Sequence, residues 1–143
     1  MSPAGENDLN FLDRIQPLAL LVLRLALGAI MIAHGYAKVF GGMQHHVEFV
    51  RHIGIPGWMA YLSAAAEFGG GILVVLGFLT RLAALAILIN MLVAIFGVHF
   101  KNGFLGQGNY QFPLALAAIA FSLIFFGAGP ISLDWLRGSR GAR

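Results

Sequence analysis

The fold is decided by residues 58–99, WMAYLSAAAEFGGGILVVLGFLTRLAALAILINMLVAIFGVH, a stretch with almost no charged side chains. It holds two apolar runs, 58–78 and 80–99, separated only by a turn around Gly77. Each run is long enough as a helix to cross a hydrocarbon core of about 30 Å, since a helix rises 1.5 Å per residue. So short a turn predicts an antiparallel hairpin of two membrane-spanning helices.

Two further apolar runs flank this hairpin, at 17–40 before it and at 110–126 after it. Four such runs in a chain of 143 residues leave no polar surface to cover a soluble core. We therefore predict an all-α integral membrane protein whose four transmembrane helices form a compact antiparallel bundle. The bundle occupies 17–130, between a polar tail at 1–16 and a basic tail at 131–143.

The segments between the runs contain helix starts and stops. Pro17 is well placed to begin the first helix, because the N–H that proline lacks has no partner in a first turn. The loop 41–57 has room for a short helix at 43–52, which the sequence Gly-Ile-Pro-Gly at 54–57 would end. A glycine-rich loop at 101–108 leads into the fourth run.

Composition supports lipid as the solvent. The chain is 59% hydrophobic and 10% charged, whereas soluble domains are about half apolar and a quarter charged. The net charge of +3 lies mostly in tails and loops, which suits anionic headgroups and gives no case for nucleic-acid binding. The chain has no cysteine, which excludes disulfides, thiolate metal sites and thiol chemistry of its own. No cleavable signal peptide is expected, because residues 1–16 are polar.

Basic residues in short loops predict the orientation, since they are retained in the cytoplasm. One side of the predicted bundle has more of them than the other and would face the cytoplasm, with both termini on that side. The residues on the predicted cytoplasmic side are Arg14, Arg81, Arg137, Arg140 and Arg143, and those on the opposite side are Lys38, Arg51 and Lys101.

Function should appear in the polar groups that remain inside the spans, namely Arg24, His34, Glu67 and Asn90, with Lys38 nearer the outer interface. An ionisable side chain near the bilayer centre costs about 2.5–3.5 kcal/mol, so it needs a partner or a role. On three predicted helices these groups share a face with small residues, which let membrane helices approach closely. The small residues are Gly28, Gly35, Ala60, Ser63, Ala64, Gly70, Gly71, Ala83, Ala86, Ala94 and Gly97.

Glu67 is the only carboxylate in any predicted span. We expect its partner to be Arg24, His34 or both, because Lys38 would have to reach down past its own turn. Two interpretations remain open: a structural clamp that fixes the register of the bundle, or a functional polar pocket in which His34 exchanges a proton near neutral pH.

Other site classes are not favoured. His45, His46 and His52 are interpreted as a solvated loop at headgroup level, so no metal site is expected. His34 and His99 differ too much in depth to be the axial ligands of one haem. The chain shows no nucleophile triad, phosphate loop or dinucleotide fingerprint, and Gly69–Gly71 is interpreted as helix packing.

At these residues the sequence resembles the DoxX family of small bacterial four-span membrane proteins, from about residue 20 to 134. The family's fourth span often opens with a glutamate after an aromatic residue, whereas this chain has Gln111 there. That departure weakens any mechanism that needs two carboxylates. The matching motifs are Arg24-Leu25 with Gly28, His34-Gly35-x-x-Lys38, Gly54-Ile55-Pro56, Glu67-x-x-Gly70-Gly71, Leu76-Gly77-x-x-Thr80-Arg81, Gly127-x-Gly129-Pro130 and Ser132-Leu133-Asp134.

The resemblance implies a bacterial inner-membrane protein associated with redox chemistry. The family takes its name from a subunit associated with a terminal quinol oxidase, and other members are linked to thiosulfate:quinone oxidoreduction or to thiol-handling enzymes. The leading hypothesis is a pocket for a quinone-like or other small amphipathic ligand. In it Glu67 relays a proton, His34 donates a hydrogen bond, Arg24 or Lys38 holds the carboxylate charged and Asn90 assists.

An oxidoreductase partner would supply the electrons, because the chain has no identifiable electron carrier. The rivals are a non-enzymatic membrane scaffold with a structural polar cluster and a small-molecule transporter. Enzymatic activity of the chain by itself, the ligand's identity and assembly into a homo-oligomer are left open by the sequence.

Overall fold

The computed structural model describes residues 9–140, which are all-α without any β-strand. A kink at Lys38–Gly42 joins the first two helices, and Phe40 and Gly41 leave helical geometry there. A wider turn, Ile95–His99, extends the fourth helix. The helices are α1 (Asn10–Ala37), α2 (Met43–His52), α3 (Met59–Leu76), α4 (Thr80–Ala94), α5 (Gln111–Phe126) and α6 (Leu133–Arg140).

Three helical segments within residues 9–140 are long and apolar enough to cross a membrane. They are Asn10–His52, Met59–Leu76 and Thr80–Asn102. α5 is equally apolar in character but has only 16 residues, or about 24 Å of helix. Large apolar side chains such as Val22 are exposed along the outer surface, as expected for helices that contact acyl chains.

α1 begins at Asn10, so the prediction that Pro17 starts the first helix is wrong. Pro17 lies inside α1, where it removes the hydrogen bond to the carbonyl group of Asp13. A proline is tolerated inside the helix here because residues 10–14 are exposed, so water or headgroups can satisfy the carbonyl groups that the proline frees. Part of the predicted polar tail, residues 1–8, lies outside the described residues.

α1 and α3 are in backbone contact through their glycines. A Cβ atom added at Gly28 would lie 2.8 Å from the carbonyl oxygen of Gly71, and one added at Gly71 would lie 2.9 Å from the backbone nitrogen of Ile32. Gly35 packs in the same way against the backbone of Phe68. The expected stripe of small residues therefore brings these two helices together. This close approach sets the distance between the polar side chains of α1 and α3.

α4 packs between α3 and α5, and the core lies where the helices meet. Gly70 of α3 contacts the side chain of Ile87 on α4. This packing fixes the face that α4 turns toward the polar groups of α3. The fully buried apolar side chains of the core are Leu27, Val74, Ala84, Ile87, Ala120 and Leu123.

The segment after α5, predicted only as a basic tail, contains α6 and contacts the start of α4. It folds back so that the Asp134 carboxylate accepts hydrogen bonds from the backbone N–H groups of Leu79 (2.9 Å) and Thr80 (3.0 Å), and thereby caps α4. In return the Asp134 N–H donates to the carbonyl oxygen of Gly77 at 2.8 Å. Partial burial raises the pKa of Asp134, but these N–H donors and the nearby charge of Arg137 outweigh it and hold the pKa below its ordinary value.

Candidate functional site

The side chains of Lys38, Glu67 and Asn90, from three different helical elements, are linked by hydrogen bonds. The Lys38 ammonium group donates to both oxygens of the carboxylate, at 2.7 Å to Oε1 and 2.6 Å to Oε2. The Asn90 amide nitrogen donates to Oε1 at 2.9 Å. We call Lys38, Glu67 and Asn90 the polar triad. A carboxylate has about four acceptor positions, so Oε2, with one donor, keeps an acceptor position for a further partner.

Lys38 was the cation that we judged unfavourably placed, and the structure shows why it reaches Glu67. α1 ends at Ala37, and Lys38 is the first residue of the kink that leads into α2. The Lys38 side chain remains 24% exposed, whereas the Glu67 side chain is only 6% exposed. A long aliphatic stem can therefore run along the bundle while its ammonium group turns inward to the carboxylate.

The prediction that Arg24 pairs with Glu67 is wrong. The Arg24 guanidinium is fully buried and donates instead to four backbone carbonyl groups. Two of them, Val74 and Val75, lie at the end of α3, and the other two, Ala128 and Ile131, follow α5. Carbonyl groups in the last turn of a helix lack their usual N–H partner four residues later, and a guanidinium can satisfy several of them because it has five N–H donors in a planar fork. The Val74 carbonyl group also accepts from the N–H group of Gly77 at 3.1 Å. Arg24 is thus a structural clamp at the end of the bundle opposite the kink.

His34 is not bonded to Glu67 either. Its Nδ1 lies 2.9 Å from the carbonyl oxygen of Ile30, one turn earlier in α1. Its ring lies 6.0 Å from that of Phe112 on α5. His34 nevertheless lines the same cavity as the polar triad, so it remains a candidate ligand contact.

The polar triad borders a cavity of about 720 Å³. Most of the wall is apolar, with Met31, Val50, Leu73 and Leu116 among its residues. The rim includes exposed side chains of α3 and α4, so the cavity opens onto the apolar outer surface of the bundle. The rim residues are Leu62, Leu82 and Ile89.

One wall of the cavity comes from α2, which the sequence did not place there. His46, Phe49 and Val50 of this helix line the cavity, as does Ile53 just after it. His45 is exposed, as predicted for a solvated loop, but the same prediction is wrong for His46. A short helix at 43–52 was expected, but its apolar face, which is the signal that it packs on the bundle, was not used.

The three glycines at 69–71 also differ from one another. Gly70 and Gly71 pack against neighbouring helices, as predicted, but a Cβ atom at Gly69 would meet no atom within 4 Å. Gly69 lines the cavity. Gly69 therefore leaves open space at the cavity wall instead of bringing two helices together.

Comparison with known proteins agrees with this architecture. A family model described as DoxX matches residues 19–100. A Bacillus subtilis protein named "Putative oxidoreductase CatD" is 36% identical over 80% of this chain and 83% of its own length. The Escherichia coli inner membrane proteins YqjF and YphA are 31% and 32% identical, over 87% and 90% of this chain and 96% and 98% of theirs. No solved structure matches the chain.

Proposed function

Since this chain belongs to the DoxX family, we propose that it is a redox-associated protein whose cavity binds a quinone-like or other small amphipathic ligand. The chain is a multi-pass protein of the bacterial inner membrane. As part of the proposal, α5 is the fourth span of an antiparallel bundle, and both termini lie in the cytoplasm. An oxidoreductase partner would exchange electrons with the bound ligand.

The observation that carries the proposal is the position of the polar triad beside an apolar cavity that opens onto the apolar outer surface of the bundle. Ligand sites are typically 300–1,000 Å³ and mostly apolar, with a few polar groups that orient the ligand, and a cavity of about 720 Å³ lies within that range. An amphipathic molecule dissolved in the bilayer would place its polar end at Glu67. Its apolar part would contact the wall of α3 and α4.

Each polar residue has a distinct role in this proposal. Glu67 accepts or relays a proton of the ligand through the acceptor position left on Oε2. Lys38 keeps the carboxylate charged, a role for which we had also considered Arg24, and Asn90 orients it. His34 donates a hydrogen bond to a ligand oxygen. Bound quinone would supply two-electron, two-proton chemistry, for which the residues provide binding, orientation and proton acceptance.

The relatives supply part of the support. One carries the word oxidoreductase in its name, and two are named as inner membrane proteins. A membrane scaffold is the second candidate, because the Glu67 charge is already matched by Lys38 and needs no ligand to be stable. In that case the polar triad only fixes the positions of the kink after α1, of α3 and of α4.

Binding of decylubiquinol, whose hydroxyl group can donate to the Glu67 carboxylate, to the purified full-length protein in lipid nanodiscs tests the proposal against the scaffold. We expect Glu67→Gln to lower the affinity at least about tenfold, since a charge-assisted hydrogen bond contributes about 1.5–3 kcal/mol. Glu48→Gln is the matched control, because Glu48 is exposed on α2 and should bind as the wild type does. Absence of binding to the wild type, or equal binding by Glu67→Gln, would overturn the proposal.

A further inference from the structure

His46 is a polar residue of the cavity wall for which the fold itself provides no partner. It lies on α2, and its imidazole lines the cavity. Its Nε2 atom is buried and has no hydrogen-bond partner among the described residues 9–140. Thr80 Oγ1 is likewise buried without a hydrogen bond, but it lies beside the Asp134 carboxylate.

A buried nitrogen without a partner is costly. Leaving such a group unsatisfied costs about 1–3 kcal/mol, and an apolar ring of the same shape would avoid that cost. Buried polar atoms in native structures almost always have a partner, either in the protein or in a bound molecule. The position of this atom, on the wall of a cavity that already contains a carboxylate and an ammonium group, indicates where that partner would lie.

We propose that His46 Nε2 forms a hydrogen bond with an oxygen of the ligand and is a second polar anchor beside the polar triad. This inference rests on the proposed function and narrows it. A ligand that satisfies both Glu67 and His46 has at least two oxygen substituents on its polar end, one of them a hydroxyl group that donates to the carboxylate, as a quinol ring does. A neutral imidazole nitrogen donates or accepts according to its tautomer, so His46 fits either a carbonyl or a hydroxyl oxygen.

The geometry is consistent with a shared site. His46 lines the same cavity as Lys38, Glu67 and Asn90, so α2 places this ring on the wall of the cavity that the polar triad borders. The neighbouring His45 points elsewhere and is exposed, because successive side chains on a helix lie about 100° apart. The adjacent residues thus give a matched pair, one in the cavity wall and one on the surface.

The experiment compares His46→Phe with His45→Phe in the full-length protein in nanodiscs. Two probes are used: decylubiquinol, and n-decylbenzene, which has the same tail length without oxygens. We expect His46→Phe to weaken decylubiquinol binding about three- to tenfold and to leave decylbenzene binding unchanged, while His45→Phe binds both as the wild type does. His46→Gln, whose amide extends toward the position of Nε2, should recover part of the loss.

Stability without ligand gives an independent readout. Phe at position 46 removes the unsatisfied nitrogen, so the melting temperature of ligand-free His46→Phe should equal or exceed that of the wild type. A clear drop would assign His46 a structural role and overturn the inference. Unchanged decylubiquinol binding by His46→Phe, together with loss of binding by Glu67→Gln, would overturn the His46 contact alone. Failure of the wild-type protein to bind decylubiquinol would overturn both proposals.

Discussion

The ion pair between Lys38 and Glu67 allows a precise prediction, because removing Lys38 and removing Glu67 should lower the stability of the protein by different amounts. Lys38→Met leaves the carboxylate, only 6% exposed, with the Asn90 amide as its one remaining donor. Removing one partner of a buried ion pair costs about 3–5 kcal/mol. Glu67→Gln should cost less, because the Lys38 side chain is 24% exposed and can turn its ammonium group toward water.

The double variant Lys38→Met/Glu67→Gln should be more stable than Lys38→Met alone, since it contains no unpaired buried charge. The assay is thermal unfolding of all four proteins in one detergent. At about 2–4 °C per kcal/mol for a domain of this size, Lys38→Met should lower the melting temperature by about 6–20 °C. The second substitution should restore most of that loss, which a double-mutant cycle reports as coupling.

Two results would refute the reasoning. Losses that simply add in the double variant would mean that the two side chains do not interact. A Lys38→Met protein as stable as the wild type would mean that Glu67 is not held by this ammonium group. Decylubiquinol binding by the stable double variant then separates the two proposed roles: the pocket requires that binding stays lost, whereas a scaffold has no such requirement.

Three further predictions concern glycine, the guanidinium clamp and the cap. Gly69→Ala should preserve or slightly raise the melting temperature and Gly71→Ala should lower it, since only the second added Cβ meets backbone atoms, at 2.9 and 3.0 Å. Arg24→Lys should lower the free energy of unfolding by about 3 kcal/mol, because an ammonium group has three donors for four buried or partly buried carbonyl groups. Equal unfolding curves of the wild type and this variant would contradict the prediction. Asp134→Ala should destabilise the protein by about 1–2 kcal/mol at neutral pH. Folding lowers the pKa of Asp134 below its reference value of 3.8, so the cap stabilises the protein above that pH and is lost as the pH falls through the lowered value. The melting curves of the wild type and of Asp134→Ala should therefore converge in acid. A difference that stays constant with pH would exclude the cap.

The positions of the polar triad were partly predictable from the sequence. Helical periodicity put Glu67 and Asn90 on faces rich in small residues, and those faces do meet. The choice of cation was wrong because it rested on depth along a straight helix. The kink at Lys38–Gly42 starts at Lys38 itself, and no residue pattern that we used indicated where its ammonium group would point.

Contacts between segments far apart in the chain were missed for a related reason. Arg24 bonds to carbonyl groups of residues 128 and 131, and Asp134 caps α4 although it lies more than fifty residues later. The acceptors of Arg24 are backbone atoms, which have no sequence signature. The capping residue of α4 comes from another segment, so the usual search just before the helix does not find it.

The sequence by itself determined the solvent of this protein and the helical character of its apolar runs, but not where α1 begins or bends. Apolar runs of these lengths require helices in lipid, because the hydrocarbon core offers no partner for a free backbone N–H or carbonyl group. Tertiary structure alone decided which cation holds Glu67, which histidine enters the cavity wall and which glycine leaves it open. Those outcomes depend on differences of a few ångströms in where helices bend and cross, and side-chain spacing along one helix does not encode the position of its neighbours.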